Sequence, residues 1–502
     1  MVRKKQDRVT KRSKASNQSV AKILRRRRAL AFTDSLKNKI VFTKELNWLL
    51  GDKNMFADDA FHGNINWDPT ELVSQAIIWA LQESKNVTDA FDYSLKFCDE
   101  LGLKQTARSY PRLMNALTRY DVLSTRVRSS IQQRAKEISG DYWRADNWVP
   151  FAFDGSRVSL PRTVSNEKAY CAANYGQGKT AKYRKKKTKG MRRRKNEKAQ
   201  PQPQRPQIWI TMVWHMGLRL PWTWRSGPSN SSERAHVENI LQTEQFPEEA
   251  LFCGDAGFVG YSFWNELMLT RVEFLVRVGA NVSLLSQYAD IQRIKDNKVL
   301  CWPKGKMQSG EEPLQLRLVK ITIGKTTMWM LTSVLDRRKL THKQIVRYYK
   351  MRWGIEVEFR GLKQTMDNRK LSCRNSDNAK AEMEWSLLSL AVAELLALRR
   401  QIPQNRRQIK KREYEVTDRS LAEALRAIRR CMASPDAIPE PGEGLIEQLA
   451  NAKVQRYKNK TDKNARYRPP NPDKKPLGDP KIRRPDAIER AKLKELDVQI
   501  AV

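Results

Sequence analysis

The chain has 502 residues, 40% of them apolar and 30% charged, which is enough for two to four domains with sizeable cores. Lys and Arg number 95 against 55 Asp and Glu, a net charge of +40. An enzyme of small neutral substrates has no use for that excess, whereas a chain lying along a polyanion gains counterion release at every phosphate it neutralises. Nucleic acid is the expected partner.

The charge is concentrated. Residues 1–28, which end in Arg25-Arg26-Arg27-Arg28, carry +11; residues 179–198 carry another +11; residues 453–494 carry +10. Together they hold +32 of the +40, so the rest of the chain is close to neutral. A single run of this kind would pass as solvated surface. Three of them read as basic arms on an ordinary folded body.

Six cysteines (Cys98, Cys171, Cys253, Cys301, Cys373, Cys431) show no C-x-x-C and no paired spacing. This argues against a disulfide framework and against a zinc knuckle, and for a reducing compartment. The basic N-terminus is not followed by an apolar run, and the longest apolar stretch, Leu387 to Leu398, is interrupted by Ser389 and Glu394. No secretion signal or membrane span is expected.

After the first basic arm the chain reads as helical to about residue 145. Helical apolar spacing begins at Pro69 after a candidate N-cap, Asp68, and continues to Leu81; Arg112 to Glu137 predicts a second long helix with few breakers. From Trp148 the texture changes to short apolar runs ending in polar breaks, as in the strands of a mixed α/β sheet. Strands are predicted at Val149–Phe153 (ending in Asp154-Gly155), Ile208–His215, Leu218–Trp224, Ala250–Cys253 (ending in Gly254-Asp255) and Glu273–Val278. Helices are predicted at Ser232–Gln245 and Tyr261–Leu269. Residues 281–335 are β-rich, with a hairpin at Leu314–Ile323 and Thr326–Val334, and have the look of an insertion. A long helix is expected over Thr341–Met366, a buried one over Glu382–Arg400, and one more at Arg419–Ala433 before the Pro-rich basic tail.

Three acids stand out by position: Asp154 and Asp255, each just past an apolar strand, and Glu356 on the long helix. Strand ends on one edge of a sheet converge, and acids gathered there can share Mg²⁺ or Mn²⁺. Three carboxylates can hold two such ions, one at the attacking oxygen and one at the leaving oxygen of a phosphodiester. Helical geometry sharpens the choice. At about 100° per residue from Tyr349, residues Arg352, Glu356 and Lys363 fall at about −60°, −20° and −40°, while Glu358 falls on the far side at about 180°. Trp353 and Phe359 flank the charged arc, which is expected to face a cleft. The plain alternative is a solvated stripe with an Arg352–Glu356 pair.

Tyr349-x2-Arg352-x3-Glu356-x6-Lys363 resembles the Y-x2-R-x3-E-x6-K signature of the DDE transposases of bacterial insertion sequences. Phe153-Asp154-Gly155 resembles their first-aspartate strand, and Gly254-Asp255-Ala256-Gly257-Phe258 is similar to their second-aspartate block. The three acids stand 101 positions apart in each interval. The resemblance covers roughly residues 148–400. It implies an α/β fold with an RNase H-like catalytic core and a β-rich insertion, preceded by a helical N-terminal domain and followed by a helical, basic C-terminal region. The implied layout is a basic arm at 1–28, a helical DNA-binding domain at 29–147, the core at 148–280 (with the basic loop 179–206) and 336–400, the insertion at 281–335, and the C-terminal region at 401–502.

By the same resemblance Asp154, Asp255 and Glu356 would bind two Mg²⁺ ions, with Mn²⁺ as a substitute. They would catalyse hydrolysis at the element's ends and then attack of the freed 3′-hydroxyl on target DNA. Arg352 and Lys363 would hold phosphates, Tyr349 would pack beside them, and Trp302 would offer a platform for a flipped base. The partners implied are double-stranded DNA, both terminal inverted repeats and target, and a second subunit in a synaptic homodimer. The expected location is cytoplasmic, at the nucleoid. Ala256 departs from the basic residue that many relatives carry after the second aspartate.

Two other classes remain open: a non-catalytic DNA-binding protein derived from a transposase, and an RNase H-like nuclease acting on RNA or hybrids. Gly176-Gln177-Gly178-Lys179-Thr180 ends like a P-loop, but Ala173 stands where the first glycine belongs. His62, His215, His236 and His342 are dispersed, with no zinc or serine-hydrolase motif.

Overall fold

A computed structural model describes residues 35–52, 54–56, 61, 65–84, 86–171, 205–286, 296–301, 312–324, 326–368, 370–408, 419–433, 444–453, 477–484, 487 and 491. The basic segments 1–28 and 179–198, most of 453–494, and Trp302 lie outside the described residues. The chain divides into two compact units, one of 1–138, 364–368 and 377–455, the other of 139–363, 369–376 and 456–502.

The first unit is helical. Asp68 caps the helix Pro69–Leu81 by accepting the Glu71 amide at 2.9 Å, with proline at the start where its missing N–H costs nothing. The helix expected over Arg112–Glu137 is in fact two, Tyr110–Arg119 and Val122–Ser139. The break falls at Tyr120, whose buried ring packs against Phe61 and Trp67 with centroids 5.4 and 5.6 Å away. Tertiary packing of one aromatic therefore overrides a continuous helical pattern. The apolar helix Ser376–Gln408 outruns its predicted bounds, and its residues from Leu387 to Leu398 are all buried. Glu45 is buried in this unit with both Arg399 and Arg400. No described helix is long and apolar enough to cross a membrane.

The second unit is mixed α/β and is built on one sheet. In chain order its strands are β1 (Val149–Ser159), β2 (Gln207–His215), β3 (Leu220–Gly227), β4 (Ala250–Gly254), β5 (Glu273–Val278), β6 (Ser283–Leu285), β7 (Asp296–Cys301), β8 (Leu314–Ile323), β9 (Thr326–Thr332) and β10 (Lys481–Arg483). Across the sheet the order is β10-β6-β7-β8-β9-β5-β4-β1-β2-β3. β1, β4 and β5 run parallel at the centre, while β2 and β3 continue from β1 as antiparallel neighbours. Such central strands are apolar on both faces, which is why β4 reads as a continuous buried run.

One expectation is corrected here. β1 does not end at Asp154-Gly155 but runs on to Ser159, because β2 pairs with it as far as Ser159↔Gln207. Asp-Gly, which in sequence looks like a turn, therefore lies within a strand. The β-rich segment, moreover, is joined to the central sheet: β9 pairs antiparallel with β5, from Leu275↔Thr332 to Val278↔Trp329. The C-terminal tail also adds a strand, β10, parallel to β6.

The helix expected over Thr341–Met366 is interrupted. A helix with a capping box at Thr341 and Gln344 spans His342–Arg352, a second spans Gly354–Arg360, and a π-helical turn spans Gly361–Thr365. Gly354 sits where the helix crosses β2. A methyl group on it would come within 2.6 Å of the Trp214 ring, which itself donates to Glu358 Oε2 at 3.3 Å. Glu358 is thus buried against β2, apart from the Arg352–Glu356 stripe, as its helical angle predicts. Trp353 is exposed and Phe359 buried, so the two do not flank the stripe symmetrically.

Replacing Gly354 by valine should overpack the helix against Trp214 and cost roughly 1–3 kcal/mol, outweighing the small gain in helix propensity. A lowered thermal midpoint would show it, and an unchanged one would mean that the indole yields freely.

Candidate active site

Pairing of β1 with β4 ends at Ala152↔Cys253. Asp154 and Asp255 each lie two residues further on, so continuing the register brings them level at the edge where β4 stops. Phe153 fixes the local orientation: its ring is buried against Phe258 at a centroid distance of 4.3 Å and covers Gly254, where a methyl group would lie 2.7 Å from it. With Phe153 locked on one face, the two-residue period of the strand turns Asp154 to the other. Asp154 accepts the Gly155 amide at 2.8 Å, and Asp255 accepts the Gly257 amide at 2.8 Å in a tight turn.

The interrupted helix supplies the remaining groups. Tyr348, buried, anchors it by donating to the Ala145 carbonyl at 2.6 Å. Arg352 is buried and donates from Nη2 to Glu356 Oε1 at 3.2 Å, with its guanidinium 5.4 Å from the Tyr349 ring centroid. Its Nε is buried with no hydrogen-bond partner among the described residues. Lys363, in the π-helical turn, donates to Ser156 Oγ at 2.5 Å, two residues along β1 from Asp154.

Electrostatics tie these residues into one site. Burial pushes the Asp154 carboxyl up to about 6; the charges of Asp255 and Glu356 act in the same direction, and Arg352 opposes them. Asp255, Glu356 and Arg352 therefore each lie within range of the Asp154 charge. Tyr349 joins them through Arg352 and Lys363 through Ser156. Trp302 lies outside the described residues.

Sequence reasoning missed Glu233, the first residue of the helix Glu233–Thr243. In sequence it looks like any acid at a helix N-terminus, favoured there by the helix dipole. In the folded chain its carboxylate lies over Gly155. Its pKa is pushed up to about 7 by burial and by the charges of Asp154 and Asp255, with Arg157 and Arg234 opposing. The signal available in sequence was the glycine after Asp154, which leaves room for it.

The acids suit a hard divalent cation in kind: they offer oxygen donors only, with Asp255 and Glu356 both in charge range of Asp154. Among the described residues, however, no three His, Cys, Asp or Glu side chains are gathered closely enough to hold a metal ion. The acids approach one another without closing into a coordination sphere.

Residues 151–392 match the family model described as the transposase DDE domain. The matched stretch contains Asp154, Asp255, Glu356 and Lys363. No curated protein matches the chain. Among solved structures, one similar to it is that of the piggyBac transposase in a synaptic complex with hairpin DNA, by cryo-EM. It has 12% identity, 88% coverage of each chain and a TM-score of 0.37, a score at which two chains need not share a fold.

The raised acids predict a pH dependence. Asp154 and Glu233 hold protons in the folded state that the unfolded chain releases nearer the ordinary values of 3.8 and 4.5. Their contribution to stability is therefore fully present below about pH 4 and is lost as pH rises towards about 7. In buffer free of divalent ions, Asp154→Asn should shrink the fall in thermal midpoint between pH 4.5 and 7.5. An identical fall in both proteins would count against a raised Asp154.

Proposed function

We propose that this chain is a DNA transposase that cuts the ends of an insertion sequence and joins them to target DNA, with Asp154, Asp255 and Glu356 as its catalytic acids. The observation that supports this reading is a match to the transposase DDE domain over a stretch that holds three acids 101 positions apart, with the charges of Asp255 and Glu356 both acting on Asp154. The sheet order β3-β2-β1-β4-β5, in which β2 alone runs antiparallel to the other four strands, supports an RNase H-like core. In such a core the acids sit on the first strand, after the fourth and on a helix after the fifth.

The chain's own residues divide the work. Asp154, Asp255 and Glu356 would hold two divalent cations, Mg²⁺ or Mn²⁺. When bound, these supply Lewis-acid stabilisation of the attacking and leaving oxygens of a phosphodiester. Glu356 orients Arg352, whose buried, unmatched Nε is a donor suited to a phosphate oxygen. Lys363, steadied by Ser156, adds a second cation for the backbone, and Tyr349 backs the guanidinium. The basic segments neutralise DNA phosphates without reading sequence, which suits a protein that must hold both its own ends and an arbitrary target. The helical N-terminal residues would recognise terminal inverted repeats, and Trp302 would receive a flipped base if the reaction passes through a hairpin. Two ends must be brought together, so the working form would be a homodimer, acting in the cytoplasm at the nucleoid.

Asp154→Asn, Asp255→Asn and Glu356→Gln should each reduce Mg²⁺-dependent cleavage of a duplex carrying the flanking element end by at least roughly 1000-fold. DNA binding should stay largely intact, since each change removes an acid and no basic group. Cleavage leaving a 3′-hydroxyl in the wild type and none in Glu356→Gln is the expected result. Binding without cleavage in both would favour the non-catalytic derivative, and preferential cutting of hybrids would favour a nuclease.

A further inference from the structure

From Leu101 to Tyr120 the chain carries four cations, Lys104, Arg108, Arg112 and Arg119, and no acid. The second half of this stretch is the helix Tyr110–Arg119, which buries Leu113, Met114, Ala116 and Leu117 in the first unit. Arg112, Asn115 and Arg119 are exposed. At about 100° per residue from Arg112, Asn115 and Arg119 fall at about −60° and −20°, so the three form one stripe on the side turned away from the core. A stripe that serves only solubility gains from acids three or four residues away. Here those positions hold Arg108, Ser109, Asn115, Ala116, Val122 and Leu123.

The stripe is not spent on the protein itself. The Arg112 and Asn115 side chains make no hydrogen bond or ion pair among the described residues, and Arg119 makes only a cation–π contact, 5.6 Å from the Tyr120 ring centroid. The arginines of the next helix, Val122–Ser139, are engaged within the same unit. Arg126 donates to the Met55 carbonyl at 2.9 Å, Arg128 pairs with Glu384 at 3.7 Å, and Arg134 pairs with Glu137 at 2.8 Å. The helix Tyr110–Arg119 is also firmly seated. Gln75, fully buried on the helix Pro69–Leu81, exchanges two hydrogen bonds of 2.9 Å with the backbone of Ala107. Tyr110 packs against Trp79 and Phe91, with centroids 6.4 and 6.2 Å away. Two guanidinium groups and an amide are thus presented from a fixed backbone, the arrangement a binding surface needs.

We propose that the helix Tyr110–Arg119 reads the DNA ends, lying in the major groove with Arg112, Asn115 and Arg119 toward the base edges. The assignment rests on the proposed transposase reading, which supplies the partner: a duplex with a fixed end sequence. The major groove admits a helix, and the side-chain types in the stripe are those with two-point matches to base edges, Arg to guanine and Asn to adenine. A helix with two cations and no acid suits a groove walled by phosphates. Lys104, exposed on the approach to the helix, is placed for a flanking phosphate. Solvation alone would give Asn115 no advantage over better helix formers. Duplex RNA, whose major groove side chains cannot read, does not fit the same stripe.

Fluorescence anisotropy of the full-length protein would compare two duplexes of equal length, one carrying the flanking element end and one with that sequence scrambled, over a range of salt concentrations. Asn115→Ala, Arg112→Ala and Arg119→Ala should each lower the preference for the element end at least about 5-fold. Asn115→Ala removes no charge, so its affinity for the scrambled duplex and its salt dependence should match the wild type. Lys96 is an exposed cation on the helix Val87–Glu100, outside the stripe, and Lys96→Ala should keep the full preference. An undiminished preference in all three stripe variants would overturn the proposal and leave the transposase reading standing. So would an equal loss of affinity for both duplexes in the arginine variants with Asn115→Ala unchanged, which would mean contact with phosphates alone. No preference for the element end in the wild type would remove the reading on which the assignment rests, and the assignment with it.

Discussion

The parallel ladder between β1 and β4 stops at Ala152↔Cys253, and the site depends on where it stops. Up to that point both strands are buried on both faces and their backbone groups are spent on each other. Just beyond it, the chain at Asp255 turns away and β1 continues with β2 alone. An edge of this kind is the place in an α/β sheet where polar side chains can converge without being buried in a core. Had β4 continued beside β1, neighbouring side chains would stand where the carboxylates meet.

Holding like charges together costs free energy, and the surrounding structure shows how the arrangement is maintained. Phe153 is clamped by Phe258 and by the bare backbone of Gly254, so Asp154 cannot rotate to the other face. Gly354 lets the Glu356 helix settle onto Trp214, and Tyr348 ties the start of that helix to the Ala145 carbonyl. Arg352 is the counter-charge beside Glu356 and Asp154. Rigid apolar packing behind the acids thus maintains an arrangement that electrostatics alone would disperse. A divalent cation would relieve the same repulsion, which links the stability of this edge to the chemistry proposed for it.

Much of the fold was legible because it obeys simple periodicities. The helix from Pro69 with its Asp68 cap, the strands of the central sheet and the hairpin β8–β9 all follow from apolar spacing and turn residues. The misreadings share one cause. Tyr120 breaks a helix because its ring is wanted against Phe61 and Trp67, and Gly155 lies in a strand because β2 pairs with it. Each outcome was set by a partner remote along the chain, which no local pattern encodes.

The sequence by itself determined which residues could do the chemistry. Equal spacing of Asp154, Asp255 and Glu356, and the helical stripe of Tyr349, Arg352, Glu356 and Lys363, depend only on chain order and helix geometry. It also separated Glu356 from Glu358, since the two fall on opposite sides of one helix. Only the tertiary structure decided that Glu233 comes within range of the Asp154 and Asp255 charges, that Gly155 leaves it room, and that Ser156 steadies Lys363. Those relations join β1 to two helices remote from it in sequence. They exist only once the sheet has placed all three elements at the edge where β4 ends.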